Sequence, residues 1–309
     1  MKNATFRQLR VFNEVAKHLS FIRAAEALYL TPPAVTMQIK ELENNVGMAL
    51  FDRTGKKVSL TTAGEYMLVY ARRILATVKD AEDAAARLQH AEAGILTIGM
   101  VGTAKYFMMN LLAEFKSRHE GVEIRLEMGN REQLVNLLQN NEVDIAVMGR
   151  PPKELRTRAE PFAAHPHVFI ASTKNPLLIE SRSNKLALEE LRHQQLIVRE
   201  QGSGTRAAME RFFEEGHIEP THRMQLQSNE TIKQAVMANL GIGFVSLHTI
   251  ALELENNKLG VLEVDGAPIV RAWNLVHTRS KMLSPAAEAF RYFMLEEAEA
   301  FLAQQFGAL

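Results

Sequence analysis

Apolar residues recur along this chain with two different periods, and the change falls near residue 94. Up to about His90 the spacing is helical. Leu9, Phe12, Ala16 and Leu19 form a stripe over residues 5–19, with Thr5 placed as an N-cap. Phe21, Ala24, Ala25 and Leu28 recur at i, i+3, i+4, i+7 behind Ser20, a second N-cap. Tyr29-Leu30 makes a tight connection. Thr31 caps a third helix, and Pro32 sits at its first position, where a missing N–H costs nothing. Val35, Ile39, Leu42 and Val46 line its inner face, and Gly47 stops it. Residues 51–60 read as a β-hairpin with Gly55 in its turn. Thr62-Ala63-Gly64-Glu65 then fits a capping box. The helix it opens runs to about His90, roughly 43 Å. Met67, Ala71, Ile74, Val78, Ala81, Ala85 and Leu88 recur along it at alternating spacings of four and three. Such a heptad seam predicts pairing with a second helix.

From Gly94 onward strands and helices alternate. Residues 95–101, 122–128 and 143–149 read as strands, and residues 107–118 and 131–140 as the helices between them. This βαβαβ order implies a mostly parallel sheet covered on both faces. Gly149-Arg150-Pro151-Pro152 breaks it, and a second set follows. Its strands are expected near 167–171, 196–199, 223–227, 242–247 and 260–264, its helices near 188–193, 205–215 and 230–238. A strand at 270–277 and a helix at 284–306 close the chain. Two α/β lobes joined by two crossovers, near 161–167 and 267–271, account for the order. The expected division is 1–60, 61–90, lobe I from 91–163 with 271–309, and lobe II from 164–270. Met108-Met109 and the scattered phenylalanines read as core.

Composition narrows the function. Lys and Arg balance Asp and Glu at 36 each, so the whole molecule is no general polyanion binder. Residues 1–60, however, hold nine Lys/Arg against five Asp/Glu. The absence of cysteine excludes disulfides, thiolate catalysis and Cys-type zinc sites. Neither an export signal nor an apolar run long enough to span a membrane is apparent, so a cytoplasmic protein is expected.

Charge and helical spacing meet in the first sixty residues. Two short helices with small alanines at their crossing resemble a helix-turn-helix, whose second helix enters the major groove of DNA. The outward face of that helix carries Pro33, Thr36, Met37 and Lys40, with Ser20 and Thr31 at the helix starts. The hairpin resembles a wing that brings Arg53, Lys56 and Lys57 to the phosphates.

A longer pattern accompanies this spacing. Phe21, Arg23-Ala24-Ala25, Leu28, Thr31, Pro33-Ala34-Val35-Thr36, Gln38-Ile39, Leu42-Glu43, Gly47, Leu50-Phe51, Arg53 and Leu60-Thr61-Thr62-Ala63-Gly64 resemble the N-terminal signature of LysR-type transcriptional regulators. One position departs: Pro32 stands where that family usually has a glutamine, which removes an amide from base readout. Further runs, among them 102–107, 138–152, Ala163-Ala164-His165-Pro166-His167, 202–206, 228–237 and 247–249, are similar to the activators of Calvin-cycle (carbon-fixation) operons within that family. The resemblance implies a winged helix-turn-helix, a long linker helix for dimerisation, and a two-lobe periplasmic-binding-protein-like α/β effector module. It implies a homodimer or homotetramer on double-stranded operator DNA, and RNA polymerase as a further partner. It also implies a small anionic effector, a phosphorylated sugar or a nicotinamide nucleotide, with no cofactor.

In open α/β sheets ligands bind off the carboxyl ends of strands, where helix N-termini favour anions. Gly102-Thr103-Ala104 with Lys105, Gly202-Ser203-Gly204-Thr205-Arg206, and Glu230-Thr231 fit that position. Arg206 can fork onto phosphate or carboxylate. Arg150 is a candidate counter-ion, and His167 is expected to face the cleft. His165 and His167 invite a metal reading, but Glu160 is the only nearby acid and completes no ligand spacing. No nucleophile elbow, P-loop or complete GxGxxG points to an enzyme. The competing readings are a regulator of another metabolic operon, or a solute-binding protein of the same two-lobe shape.

Overall fold

The computed structural model describes residues 4–52, 58–89 and 94–307. The chain forms two compact units, one ending at Gln89 and the other built on the strands from Gly94 onward.

The first unit is a helical head with α1 (Phe6–His18), α2 (Phe21–Ala27) and α3 (Pro32–Val46). The short strands β1 (Phe51–Asp52) and β2 (Ser59–Leu60) pair antiparallel, and α4 (Thr62–Gln89) follows. Thr5 and Gln8 cap α1 reciprocally, and the Ser20 hydroxyl accepts from the Arg23 amide at the start of α2. Thr31 stands at the N-cap of α3 but makes no capping hydrogen bond, so its hydroxyl is left to the surface. Gly47 ends α3 in the left-handed conformation at φ 82°. Phe12, Ala24, Val35, Ile39, Leu42 and Leu50 fill the core. Leu19, expected in the α1 stripe, is exposed, because the chain turns left-handed at that residue.

Two expectations for α4 change. Its cap is Thr61, one residue early: that hydroxyl accepts from the Gly64 amide at 3.0 Å. Met67 and Ala71 are buried in the head's own core, and Ile74 packs against it. The proximal half of the heptad seam is therefore committed within one chain. A flanking face, with Tyr66 and Tyr70 71% and 57% exposed, is left open. Val78 is half-buried and Ala81 exposed. The side chains of Ala85 and Leu88 lie outside the described residues.

The second unit contains β3 (Gly94–Val101), α5 (Lys105–Arg118), β4 (Val122–Gly129), α6 (Arg131–Gln139) and β5 (Ile145–Met148). The long β6 (Thr157–Ser172) leads into α7 (Pro176–Ser183), a 3-10 turn at Leu188–Leu191, β7 (Gln195–Arg199), α8 (Gly204–Glu215) and β8 (His222–Leu226). Next come α9 (Asn229–Met237), β9 (Ile242–Ser246), a 3-10 turn at Leu247–Thr249, α10 (Ala251–Glu255), β10 (Leu259–Leu262), β11 (Ile269–Thr278) and α11 (Pro285–Phe306). The strand order is β4-β3-β5-β11-β6-β9-β7-β8, with β10 also on β6.

Pairing is parallel within β4-β3-β5 and β9-β7-β8, and antiparallel around β6 and β11. Those two strands are the crossovers. The early part of β6 and the late part of β11 belong to lobe I, and their other ends to lobe II. Each lobe has cores on both sheet faces. In lobe I, Phe107, Phe115, Trp273 and Phe290 fill one face and Leu134, Leu138 and Met148 the other. In lobe II these are Phe169, Phe213 and Phe244, then Ile170, Ile197 and Ile232. Met108 is core, but Met109 is exposed. Helices α7 and α10 stand where no element was expected.

Candidate functional site

The strands of both lobes end at a common cleft. The space at its mouth and floor together is about 470 Å³, part of it open solvent. Val101 and Met148 close β3 and β5 from lobe I, and Arg199 closes β7 from lobe II. The start of α5 contributes Gly102 and Thr103, and the start of α8 contributes Ser203, Gly204 and Thr205. Two helix N-termini thus meet one space, and their unpaired amides and dipoles favour an anion there. The Ser203 hydroxyl is already in use as the cap of α8.

Four arginines line the cavity: Arg131, Arg150, Arg199 and Arg271. Two are already paired. Arg199 forks onto Glu200 at 2.8 and 2.9 Å and donates to Asn229 at 2.7 Å. Arg131 donates to the Arg150 carbonyl and pairs with Glu154 at 3.2 Å. Among the described residues neither Arg150 nor Arg271 makes an ion pair. Burial, and next the charge of Arg150, hold the Arg271 guanidinium below its ordinary pKa. Two unpaired, mutually repelling cations beside two helix N-termini form an electrostatic trap for a small anion.

Histidines lie against these cations. Arg271 stands opposite His165 in the β6–β11 register, and Ile269 opposite His167. Burial keeps all three nearby imidazoles neutral: His165 is held well below its ordinary value, His167 is lowered to about 3 and His248 to about 4.

Not every expected residue reaches the cavity. Gly102, Thr103, Arg150, His167, Ser203, Gly204 and Thr205 line it. Arg206 does not. Its guanidinium is held by Glu210, Gln225 and the Arg199 carbonyl, so it braces α8 against β7 and β8. Ala104 is buried in the lobe I core beneath the helix start. Gly202 turns at φ 81° beside Glu132 without lining the cavity. Thr231 is occupied with Ser228 in capping α9. Glu230 accepts from the Tyr106 hydroxyl across the lobes and pairs with Lys233 and Lys105, at 3.2 and 3.7 Å. An anion could not approach that carboxylate favourably. Lys105 stands instead in an outer recess with Asn130, Gln133 and Asn229.

The residues not anticipated are Val101, Asn130, Arg131, Met148, Gly149, His165, Arg199 and Arg271. Asn130 and Arg199, at or just beyond strand ends, follow the same strand-end rule that marked Thr103. Arg271 and His165 emerge only from the register of β6 on β11.

In the head, the outer face of α3 presents Pro33, Thr36, Met37 and Lys40 to solvent. The Thr36 hydroxyl donates back to the Pro32 carbonyl at 3.0 Å and keeps its lone pairs for other donors. Ser20 is half-exposed at the adjoining helix start. Arg53, Lys56 and Lys57 lie outside the described residues.

Residues 6–65 match the family model "Bacterial regulatory helix-turn-helix protein, lysR family", and residues 89–299 match "LysR substrate binding domain". The chain is 49% identical over 309 residues, its whole length and 96% of the relative's, to the HTH-type transcriptional regulator CfxR of Cupriavidus necator. It is 46% identical over 296 residues, 96% of this chain and 97% of the relative, to a RuBisCO operon transcriptional regulator of Allochromatium vinosum. Among solved structures, the CcmR regulatory domain of Synechocystis PCC6803 in complex with 2-PG is 35% identical. That match has a TM-score of 0.62 and covers 65% of this chain and 96% of that one. Full-length OxyR from Pseudomonas aeruginosa, at 19% identity, matches in fold with a TM-score of 0.72 over 95% of this chain and 98% of that one.

Proposed function

The chain belongs to the LysR family of bacterial helix-turn-helix regulators, and from that premise we propose that it regulates carbon-fixation genes under the control of a small phosphorylated metabolite. One observation carries the effector reading: Arg150 and Arg271, unpaired, line a cleft into which two helix N-termini open. A phosphate ester supplies the charge and the several acceptor oxygens that such donors need. The 2-PG (2-phosphoglycolate) complex of the CcmR domain supports the same class of ligand. The names of the CfxR and RuBisCO-operon relatives support the target genes.

The working form is a homodimer or homotetramer on double-stranded operator DNA. The recognition face is Thr36, Met37 and Lys40, with the wing cations on phosphates. No catalytic step is assigned, since occupancy and geometry on DNA are the output, and RNA polymerase is the further partner of an activator. Two strands alone join the lobes, so closure on an anion changes the angle between them as rigid bodies. Couplings of this kind amount to about 1–3 kcal/mol.

Footprinting tests the reading. The full chain on a carbon-fixation promoter fragment should protect a specific site with competitor DNA present. Millimolar 2-phosphoglycolate should change the affinity or extent of that footprint several-fold. A specific footprint indifferent to every phosphorylated metabolite tried would sink the effector assignment, and no specific footprint would sink the regulator itself.

A further inference from the structure

Besides the two strands that join them, the lobes also meet beside the outer recess of the cleft. Lobe I contributes the first turn of α5 and lobe II the first turn of α9. The Tyr106 hydroxyl donates to Oε1 of Glu230, which the Lys105 ammonium approaches at 3.7 Å. Lys233 holds the same carboxylate from behind, 3.2 Å from its other oxygen. Lys233 is itself 4% exposed, pairs with Glu253 at 2.8 Å and donates to the Thr249 carbonyl at 3.1 Å. Its Nζ also lies 4.8 Å from the centroid of the Tyr106 ring. A half-buried tyrosine of one lobe is thus set against a carboxylate that a buried lysine fixes in the other.

Both sides of this contact adjoin the cavity wall. Thr103, which lines the cavity, stands three residues before Tyr106. Asn229, next to Glu230, accepts a hydrogen bond at 2.7 Å from Arg199, which also lines it. At this lobe angle the starts of α5 and α8 share one space, and opening the lobes would draw α5 away from α9 and break the contact. We infer that Tyr106 and Glu230 are positioning residues that hold the lobes at the angle at which the cleft takes its anion. The inference rests on the reading of that cleft as the effector site. Neither residue needs to touch the effector. A protein that spends a smaller fraction of its time at the competent angle binds its ligand more weakly by that fraction.

The chain has no cysteine, so two introduced ones carry spin labels uniquely. Glu120→Cys in lobe I and Glu214→Cys in lobe II, both at exposed positions, report the separation of the lobes by pulsed dipolar spectroscopy. The labelled full chain is diluted with unlabelled protein, so that only distances within one chain are read. Without ligand the distance should be single and narrow. Tyr106→Phe and Glu230→Ala should each broaden it, and saturating 2-phosphoglycolate should narrow it again. Calorimetric titration with the same ligand should show affinity lowered about threefold to tenfold in each variant. The double variant should be no weaker than the singles, because both remove one contact. Glu230→Gln, which keeps an oxygen for the tyrosine hydroxyl, should recover part of the loss. A merely structural role would lower the melting point while distance and affinity stay where they were. That result overturns the inference, as do fully additive losses in the double variant. If 2-phosphoglycolate does not bind the unaltered protein, the effector reading falls by itself. The ligand-free distances then decide whether Tyr106 and Glu230 set the lobe angle, and an unchanged distribution in both variants shows that they do not.

Discussion

The imidazole of His165 lies flat on the indole of Trp273, ring centroids 3.7 Å apart and 13° from parallel. The same indole donates its N–H to Nδ1 of His248 at 3.1 Å, so three buried aromatic groups share one interior. Stability should follow their charge state. His167 is lowered to about 3 and His248 to about 4 by burial, against an ordinary value of 6.5. Between those values and pH 6.5 the unfolded chain holds protons that the folded chain does not. Stability therefore rises with pH in that window and falls as pH is lowered from 6.5. Each buried neutral imidazole should cost roughly 2 kcal/mol of stability by pH 5. Thermal unfolding of the full chain at pH 7 and pH 5 should show this loss, and His167→Gln should lessen it. An identical pH dependence in the two proteins would refute the assignment.

A second expectation separates the arginines. Arg206 looked suited to fork onto an anion, yet it holds Glu210 and Gln225, whereas Arg271 faces the cavity unpaired. Arg206→Ala should lower the melting point modestly and leave effector affinity within about twofold. Arg271→Ala should leave stability unchanged or raised, because it relieves repulsion with Arg150. It should weaken binding of a phosphorylated ligand by about tenfold or more, the scale of a charge-assisted hydrogen bond of about 1.5–3 kcal/mol. Titration of both variants with one ligand checks the contrast, and the reverse order would return Arg206 to the site.

These two arginines also show what could be read from sequence and what could not. Local patterns delivered the helix-turn-helix, because caps at Thr5 and Ser20 and the stop at Gly47 act within a few residues. The strand-end rule delivered Thr103, Ser203 and Thr205 for the same reason. Arg271 and His165 are 106 residues apart and meet because β11 lies antiparallel on β6 with a register shift at Trp273/Asn274. No local period encodes that register. The proximal heptad seam misled for a related reason: a helix face at the right spacing does not say whether its partner is another copy or its own domain.

The exposed face of α4 gives a third expectation. Tyr66 and Tyr70 stand one turn apart on the open side of the helix. If pairing of two chains runs along this helix, the Tyr66→Glu, Tyr70→Glu double variant should dissociate at micromolar concentration while its head stays folded. Met67→Asp should instead unfold the head, by placing a charge in the core beside Ala71. Light scattering and circular dichroism separate the two effects. A double variant with the original mass would move the interface elsewhere.

The last expectation concerns the carboxylate that joins the recognition helix to the wing. Glu43 is on α3, and its Oε1 accepts from the backbone amides of Leu50 at 2.8 Å and Phe51 at 3.2 Å. Leu50 and Phe51 are core residues, and the Phe51 ring meets both Phe12 and Phe21 edge-on. One carboxylate thus fixes where the chain leaves the core to begin β1. Glu43→Ala would leave two backbone donors in a partly buried place without this acceptor, at a cost of about 1–3 kcal/mol. Glu43→Gln keeps an acceptor oxygen and should recover much of that loss. Because β1 leads directly in sequence to Arg53, Lys56 and Lys57, Glu43→Ala should also weaken operator binding and lower its salt dependence. A misplaced wing no longer reaches its phosphates, and the slope of log K against log salt falls by roughly one for each phosphate left unneutralised. Salt-dependent binding curves for the two variants read this directly. A Glu43→Ala protein that is less stable but keeps the full slope would show that the wing finds its place on DNA without Glu43.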